Sequence, residues 1–373
     1  MNRYYNPVRF YQGKGVLSML PEVLKERQAK RVLVIGWNES VFSLSGVKEI
    51  KNNSQWEQKQ LVFQASNPRI DQLFAVYEET KEFAPDTVVA IGGGSILDVG
   101  KSLCCLYGKE IDCVETLRTH LQEKDLAPDQ TVWIAIPTTA GTGSEATCWA
   151  TIWDPEQEKK RSLESQDNYA YAALVDPDVL EGMPLRLAVS SGLDALAHAV
   201  ESYWACGTNG VSHALALQAI RVMNVALKEL SQKNPLAHEQ ASFGSMLAGM
   251  AFSNTRTTAC HSMSYPLTMT HQIPHGVAVS MLLGPVLDRN LPAIKDSKPL
   301  LEALEVENGT QWQKKIRTIL RQAGLADSLS AWGIGEEELP HLAQMGNTKG
   351  RADNNPVAFD TTEMTHILQE IYQ

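Results

Sequence analysis

The stretch Asp86-Thr87-Val88-Val89-Ala90-Ile91-Gly92-Gly93-Gly94-Ser95-Ile96-Leu97-Asp98-Val99-Gly100-Lys101 decides the fold class. An unbroken apolar, β-branched run reads as a strand buried on both faces. Three glycines then end it and a segment of helical character follows. Glycines there let the backbone approach an anion closely. A helix N-terminus adds free N–H groups and the positive end of its dipole. In open α/β sheets, ligands dock at the carboxyl ends of parallel strands, where this turn stands. The turn is neither a GxGxxG after the first strand nor a Walker loop. Taken alone, a triple glycine equally suits a tight turn with Ser95 as N-cap.

Three more runs repeat the pattern: Arg31-Val32-Leu33-Val34-Ile35-Gly36, Thr131-Val132-Trp133-Ile134-Ala135-Ile136-Pro137 and Ala172-Ala173-Leu174-Val175. Strands each followed by a turn and a helix predict a parallel sheet with crossover helices. After Asp176-Pro177 the texture changes to long helical patterns, as at 212–230 and 237–252, with few strand signals. The expectation is therefore an α/β plus all-α chain. An α/β domain would cover 1–180 and an all-helical domain 181–373.

With 373 residues, the chain is long enough for two substantial cores. Its 43% hydrophobic and 20% charged residues make a globular mix. Net charge is -10 and no basic cluster stands out, so nucleic acid is not an expected partner. The start, Met1-Asn2-Arg3-Tyr4-Tyr5-Asn6, lacks signal-peptide character, and no apolar run looks long enough to span a bilayer. Six cysteines (Cys104, Cys105, Cys113, Cys148, Cys206, Cys260) show no CxxC pair and no framework spacing. Reduced thiols in a cytoplasmic protein are expected.

A second polar loop, Pro137-Thr138-Thr139-Ala140-Gly141-Thr142-Gly143-Ser144-Glu145, crowds four hydroxyls and two glycines after a strand. One helix cap by Thr142 or Ser144 needs fewer, so a wall against a nucleotide's phosphates or nicotinamide is the favoured reading. Farther on, Asp194 and His198 stand four apart on an apolar helix and share a face. Such a pair often makes only a surface hydrogen bond. Here the neighbours Leu193, Leu196, Ala197 and Val200 imply burial, where polar groups need partners. With His261 and His275 they offer one carboxylate and three imidazoles, a set suited to Fe(II), Zn(II), Co(II) or Mn(II).

These motifs, with Phe10-Tyr11-Gln12-Gly13-Lys14-Gly15 and His275-Gly276, together resemble the iron-containing, metal-dependent alcohol dehydrogenase family from end to end. The resemblance implies a dehydroquinate synthase-like two-domain fold, with a Rossmann-like dinucleotide-binding domain over 1–180, a helical metal-binding domain over 181–373 and the active site in the cleft between them. It also implies a homodimer. It assigns the metal, Fe2+ or Zn2+, to Asp194, His198, His261 and His275. It assigns pyrophosphate binding to Gly93, Gly94 and Ser95, and further NADPH or NADH contacts to Asn67, Gly92, Asp98, Thr138, Thr139, Thr142 and Lys160.

Three positions depart from the family pattern. Many members carry a second histidine four residues after the third ligand; here Tyr265 stands there, so a proton relay through histidine is replaced by a hydrogen-bond donor or a pocket wall. Many NAD-dependent members end the first strand with an aspartate that repels a 2′-phosphate. Here Gly36 or Trp37 occupies that place, and Asn38 and Ser40 are polar partners for the phosphate, while Glu39 opposes it. NADPH is the favoured cofactor. Finally, Asn254-Thr255-Arg256-Thr257-Thr258-Ala259-Cys260-His261 puts Arg256 where small residues are typical. A guanidinium matches phosphonate or carboxylate oxygens, and Thr257 and Thr258 add hydroxyls. The plainer reading is a surface ion pair.

This segment, with Trp153-Asp154, Lys160-Arg161-Ser162-Leu163 and Asn354-Asn355-Pro356-Val357, resembles the phosphonoacetaldehyde reductase branch, which reduces phosphonoacetaldehyde to 2-hydroxyethylphosphonate in phosphonate biosynthesis. Arg161 and Arg351 are further candidate anion contacts. The competing readings are an alcohol dehydrogenase for a neutral short-chain aldehyde or semialdehyde, and a dehydroquinate-synthase-like lyase.

Overall fold

The computed structural model describes residues 3–157, 159–231, 234, 237–348 and 350–373. Six parallel strands form its main sheet: β1 (Arg9–Gln12), β2 (Arg31–Gly36), β3 (Glu57–Val62), β4 (Thr87–Gly92), β5 (Val132–Pro137) and β8 (Ala172–Val175). Between β5 and β8 the chain makes an antiparallel hairpin of β6 (Trp149–Asp154) and β7 (Lys159–Glu164). The sheet order is β1-β8-β5-β4-β2-β3. Its four central strands are the four apolar runs. Each is almost wholly buried because helices cover both faces. The edge strands β1 and β3 are partly exposed and carry polar residues such as Glu57, Gln58, Lys59 and Gln60.

Helices α1 (Leu20–Arg27), α2 (Ser45–Lys51), α3 (Ile70–Thr80), α4 (Gly94–Leu106) and α5 (Val114–Glu123) lie between the strands in sequence. The expectation of a helix after every strand fails at β5. The loop after β5 contains only a single 3-10 turn, Ser144–Ala146, and then enters the hairpin. A buried lysine amine holds this loop. Lys101 is fully buried, and its Nζ lies 2.8–2.9 Å from four oxygens: Ser144 O and Oγ, Thr147 Oγ1 and Trp149 O. Asp98 accepts from Ser144 Oγ (2.7 Å) and Thr151 N (2.9 Å). One helix turn of α4 thus organises the loop with charge rather than with a helix of its own.

The helical part consists of α6 (Leu185–Trp204), α7 (Gly210–Ser231), α8 (Ala237–Thr255), α9 (Ala259–His271), α10 (His275–Asn290) and shorter helices to the C-terminus. α6 is buried along nearly its whole length, with α7, α8 and α10 packed on it. α7 corrects one expectation. With mean hydropathy 1.2 over Gly210–Leu230, it is long and apolar enough to cross a membrane by length and composition. It packs against α6 and α8, as a core helix does. The chain forms two units, one of residues 6–139 and 144–180 and the other of 3–5, 140–143 and 181–373. Segment 140–143 therefore groups with the helical unit, whereas a single cut at 180 assigns it to the α/β domain.

Replacing Lys101 by Met removes the donor from four buried acceptors and the charge beside Asp98. We expect a loss of about 2–4 kcal/mol of stability in urea denaturation of the α/β unit's transition. An unchanged midpoint would show that the loop is held otherwise.

Candidate functional site

Asp194, His198 and Glu201 follow one another along one face of α6, at spacings of four and three. Asp194 Oδ1 lies 3.4 Å from His261 Nε2 and 3.7 Å from His275 Nε2. One ligand atom from each of Asp194, His261 and His275 falls within 4.8 Å of the others. Asp194 Oδ1 and His261 Nε2 are buried with no hydrogen-bond partner in the protein. Buried polar atoms left open are costly, so atoms aimed at one point fit a bound cation. A carboxylate oxygen with imidazole nitrogens suits ferrous iron or zinc.

The structure places His198 differently from the other three. Its Nδ1 is 4.0 Å from Asp194 Oδ2 and donates to the Gly141 carbonyl at 3.3 Å. The ring stacks on Phe252 (4.2 Å) and on His261 (4.4 Å). With the hydrogen on Nδ1, its Nε2 keeps a lone pair, as a ligand requires. His275 opens α10, and Gly276 explains how it gets there. A Cβ at 276 would sit 1.9 Å from the Ser190 carbonyl oxygen, so only glycine lets α10 start against α6.

Electrostatics knit the cluster together. Burial would raise the Asp194 carboxyl, but His198, His275 and His261 outweigh it and hold it well below the usual range. Burial pushes His198 down to about 4, against the pull of Asp194. His261 goes the other way: burial would lower it, yet the Glu201 and Asp194 carboxylates raise it. Glu201 belongs to no motif singled out in the sequence. It is fully buried and contacts His261 Nδ1 through Oε2. The signal is its place three residues after His198, in a helix otherwise apolar on that face.

Tyr265 follows His261 by one turn of α9, and its ring lies parallel to His275 at 5.9 Å. The Arg351 guanidinium carbon sits 4.9 Å from the Tyr265 ring centre. Burial pushes the Tyr265 phenol up to about 12, so it stays protonated, and Thr257 hydrogen-bonds to it. Asn354 ties this side together. It donates to the Thr255 and Thr257 carbonyls (2.9 and 3.0 Å) and accepts from Gly207 N. Asn355 exchanges hydrogen bonds with Asn290 of α10 (2.8 and 3.0 Å). Arg256 is exposed, with φ 64°, and its N–H closes α8 on Phe252 O. Thr258 is a correction. Its only hydroxyl hydrogen goes to Glu201 Oε1 (2.7 Å) and it accepts from Trp204 Nε1 (2.8 Å), so it has no donor left for a substrate.

In the α/β unit the polar loops meet. α4 starts at Gly94 with Gly93 as N-cap and no side chain capping it, so Ser95 is not the N-cap. Ser95 Oγ instead accepts from Asn67 N at 3.0 Å, with Asn67 at φ 53°. Thr138 N donates to Gly92 O, and Thr139 lies 3.4 Å from where a Gly93 Cβ would be. Asn67, Gly93, Ser95 and Thr139 thus surround an uncapped helix N-terminus, a ready anion site. Asp98 faces Ser144 and Thr151 instead, and Lys160 lies over the Trp153 ring (5.9 Å). Thr142 belongs to the helical unit and is half-buried.

At the end of β2, a Cβ on Gly36 would meet Val41 Cγ2 at 2.1 Å. Trp37 is exposed, and Asn38 Oδ1 accepts from Ser40 N and Oγ (2.9 and 2.6 Å), so these two polar groups serve each other. Arg161 is a second correction. Its guanidinium is buried on Asp154 (2.7 Å) and Gln157 (2.5 Å), and Arg118 shares the same Asp154, which leaves Arg161 a structural cation.

Comparison with known proteins matches two family profiles: "Iron-containing alcohol dehydrogenase" over residues 7–177 and "Fe-containing alcohol dehydrogenase family, C-terminal" over 188–372. The chain is 32% identical to 1,3-propanediol dehydrogenase of Klebsiella pneumoniae, over 77% of this chain and 76% of that one. It is 27% identical to sulfoacetaldehyde reductase of Bilophila wadsworthia, over 82% of each. The crystal structure of sulfoacetaldehyde reductase from Bifidobacterium kashiwanohense in complex with NAD+ superposes with a TM-score of 0.89. It covers 100% of this chain and 98% of that one at 24% identity, a likeness of fold.

Asp194→Ala and His275→Ala are each expected to weaken Zn2+ binding by more than the roughly 100-fold that loss of an outer partner costs, measured by competition with a chelator. Affinity should also rise with pH through the imidazole range. His261, raised in the metal-free protein, holds a proton that the metal must displace, whereas Asp194 is already ionised. Affinity that is flat between about pH 5 and 8 contradicts this set of ligands.

Proposed function

We propose that this chain, which belongs to the iron-containing alcohol dehydrogenase family, reduces phosphonoacetaldehyde to 2-hydroxyethylphosphonate with NADPH. Family membership makes it a metal-containing, NAD(P)-dependent oxidoreductase that interconverts alcohols and aldehydes. The anionic substrate is our own reading. The observation that carries it is the stack of Arg351 on Tyr265 and Tyr265 on His275, at 4.9 and 5.9 Å. It joins a cation to the imidazole of a candidate metal ligand through a single phenol ring. Arg351 has no carboxylate partner among the described residues, so its donors are free for a phosphonate or carboxylate. Similarity to a sulfoacetaldehyde reductase supports an aldehyde with an anionic end.

Asp194, His198, His261 and His275 would hold the metal, and the uncapped start of α4 with Asn67, Ser95 and Thr139 would take the pyrophosphate. When bound, the metal supplies Lewis acidity to a carbonyl oxygen and the nicotinamide supplies hydride. The protein's own residues orient and exclude. Arg351 fixes the charged end and so aims the aldehyde carbon, a positioning effect. Tyr265 shields one side of His275 with its ring. As a phenol raised to about 12 it stays protonated and offers a hydrogen-bond donor rather than a charge. Arg256 adds positive charge at the end of α8.

For the cofactor, glycine at 36 where many NAD-dependent members carry an acid supports NADPH. No carboxylate fits there to repel a 2′-phosphate. Six free thiols support a reducing, cytoplasmic setting, and we assign a homodimer by family likeness. A second reading, reduction of a neutral aldehyde, draws on the 32% identity to 1,3-propanediol dehydrogenase.

Metal-reconstituted protein should oxidise NADPH faster than NADH with phosphonoacetaldehyde, and more slowly with butanal or succinic semialdehyde. Sulfoacetaldehyde, measured alongside, separates phosphonate from sulfonate preference. Arg351→Ala should raise KM for the anionic aldehyde about 10- to 100-fold, the worth of one charged hydrogen-bonded contact, and leave butanal unchanged. An equal effect on both substrates favours the neutral reading, and no turnover with any aldehyde removes the reductase assignment.

A further inference from the structure

Glu201 is a carboxylate sealed in the helical core. A charge buried there persists only if donors surround it. Four do. Oε1 accepts from Thr258 Oγ1 (2.7 Å), Cys260 N (2.7 Å) and His261 N (3.3 Å), and Oε2 faces His261 Nδ1. Two of these donors are N–H groups of the first turn of α9. Thr258, the N-cap of α9, does not cap it with its own side chain. Glu201 supplies the missing acceptor from α6, where the positive end of α9 favours an anion. Its second oxygen has another consequence. A carboxylate only accepts, so His261 Nδ1 must carry the hydrogen. When a metal displaces the ring's other proton, His261 Nε2, the orphaned atom 3.4 Å from Asp194 Oδ1, is therefore the nitrogen whose lone pair makes the ligand bond.

We propose that Glu201 is a positioning residue of the metal centre, fixing the tautomer and ring orientation of His261 while it ties the start of α9 to α6. One side chain thereby sets the spacing between a ligand on α6, Asp194, and a ligand on α9, His261. Carboxylate partners behind metal-bound imidazoles act in this way. The inference rests on the metal reading of Asp194, His261 and His275, and not on which aldehyde is reduced.

Glu201→Gln separates the two roles. The amide oxygen still accepts from the α9 N–H groups, but the amide nitrogen now faces His261 Nδ1 and turns it into an acceptor. A hydrogen then sits on Nε2, where the metal should bind. Zn2+ affinity is expected to fall 10- to 100-fold and the visible spectrum of Co2+-loaded protein to change. The thermal midpoint of the metal-free protein should move less than in Glu201→Ala, which loses the cap as well. Unchanged Zn2+ affinity and an unchanged Co2+ spectrum in Glu201→Gln would overturn the proposal. If that variant does not fold, 15N NMR of the zinc-loaded wild type decides: hydrogen on Nδ1 with zinc at Nε2 of His261 supports it, and the reverse overturns it. Asp194→Ala run beside them tests the metal reading separately. Full affinity there removes the site itself, while lost affinity with a neutral Glu201→Gln removes only the role given to Glu201.

Discussion

Two carboxylates buried on one apolar helix govern the helical unit. Asp194 and Glu201 stand two turns apart on α6, and neither reaches water to any useful extent. Ionised groups in such surroundings destabilise a fold unless opposite charge or donors sit at contact distance. Every nearby element is arranged to supply them. α9 brings its N–H groups and His261, α10 brings His275, and the turn at Gly141 accepts from His198. The compensation is complete at Glu201 and incomplete at Asp194, where one oxygen faces an imidazole nitrogen with no hydrogen bond between protein groups to satisfy either. That contrast distinguishes a carboxylate that organises the site from one that waits for a cation.

The α/β unit solves its own charge problem by different means. The surface around the start of α4 is mostly backbone: an uncapped helix start, glycines and short hydroxyl side chains. The charged residues nearby point elsewhere. Lys101 and Asp98 hold the loop after β5, and Arg118 and Arg161 share Asp154 on the hairpin. An anion bound there would meet dipoles rather than a formal positive charge, which suits a group that must also leave.

Legibility in the sequence followed burial. The four central strands were readable because both faces are covered and their residues are uniformly apolar. β1 and β3 were missed because an edge strand has one poorly covered side and tolerates Glu57, Gln58, Lys59 and Gln60. The β6–β7 hairpin was missed because a helix was expected after β5, and the charge pairing that replaces it links residues more than forty positions apart. Helical spacing revealed Asp194 and His198. It did not reveal Glu201, since its partners lie on α9, about sixty positions downstream. Among the arginines, sequence context favoured Arg256, whereas ring stacking draws attention to Arg351. Residue type alone does not distinguish Arg161, locked in an ion pair, from either of them.

Asn354 and Asn355 fasten the chain just after Arg351 by amide hydrogen bonds to backbone carbonyls and to the side-chain amide of Asn290. Such an anchorage depends little on which residues occupy the intervening positions. Arg351 itself takes no part in these bonds. If Arg351 holds the substrate's charged end as proposed, exchanging it would retune which head group is welcomed and leave the carboxylate and imidazoles of α6, α9 and α10 in place, so that selectivity and reactivity become separately heritable traits of one scaffold.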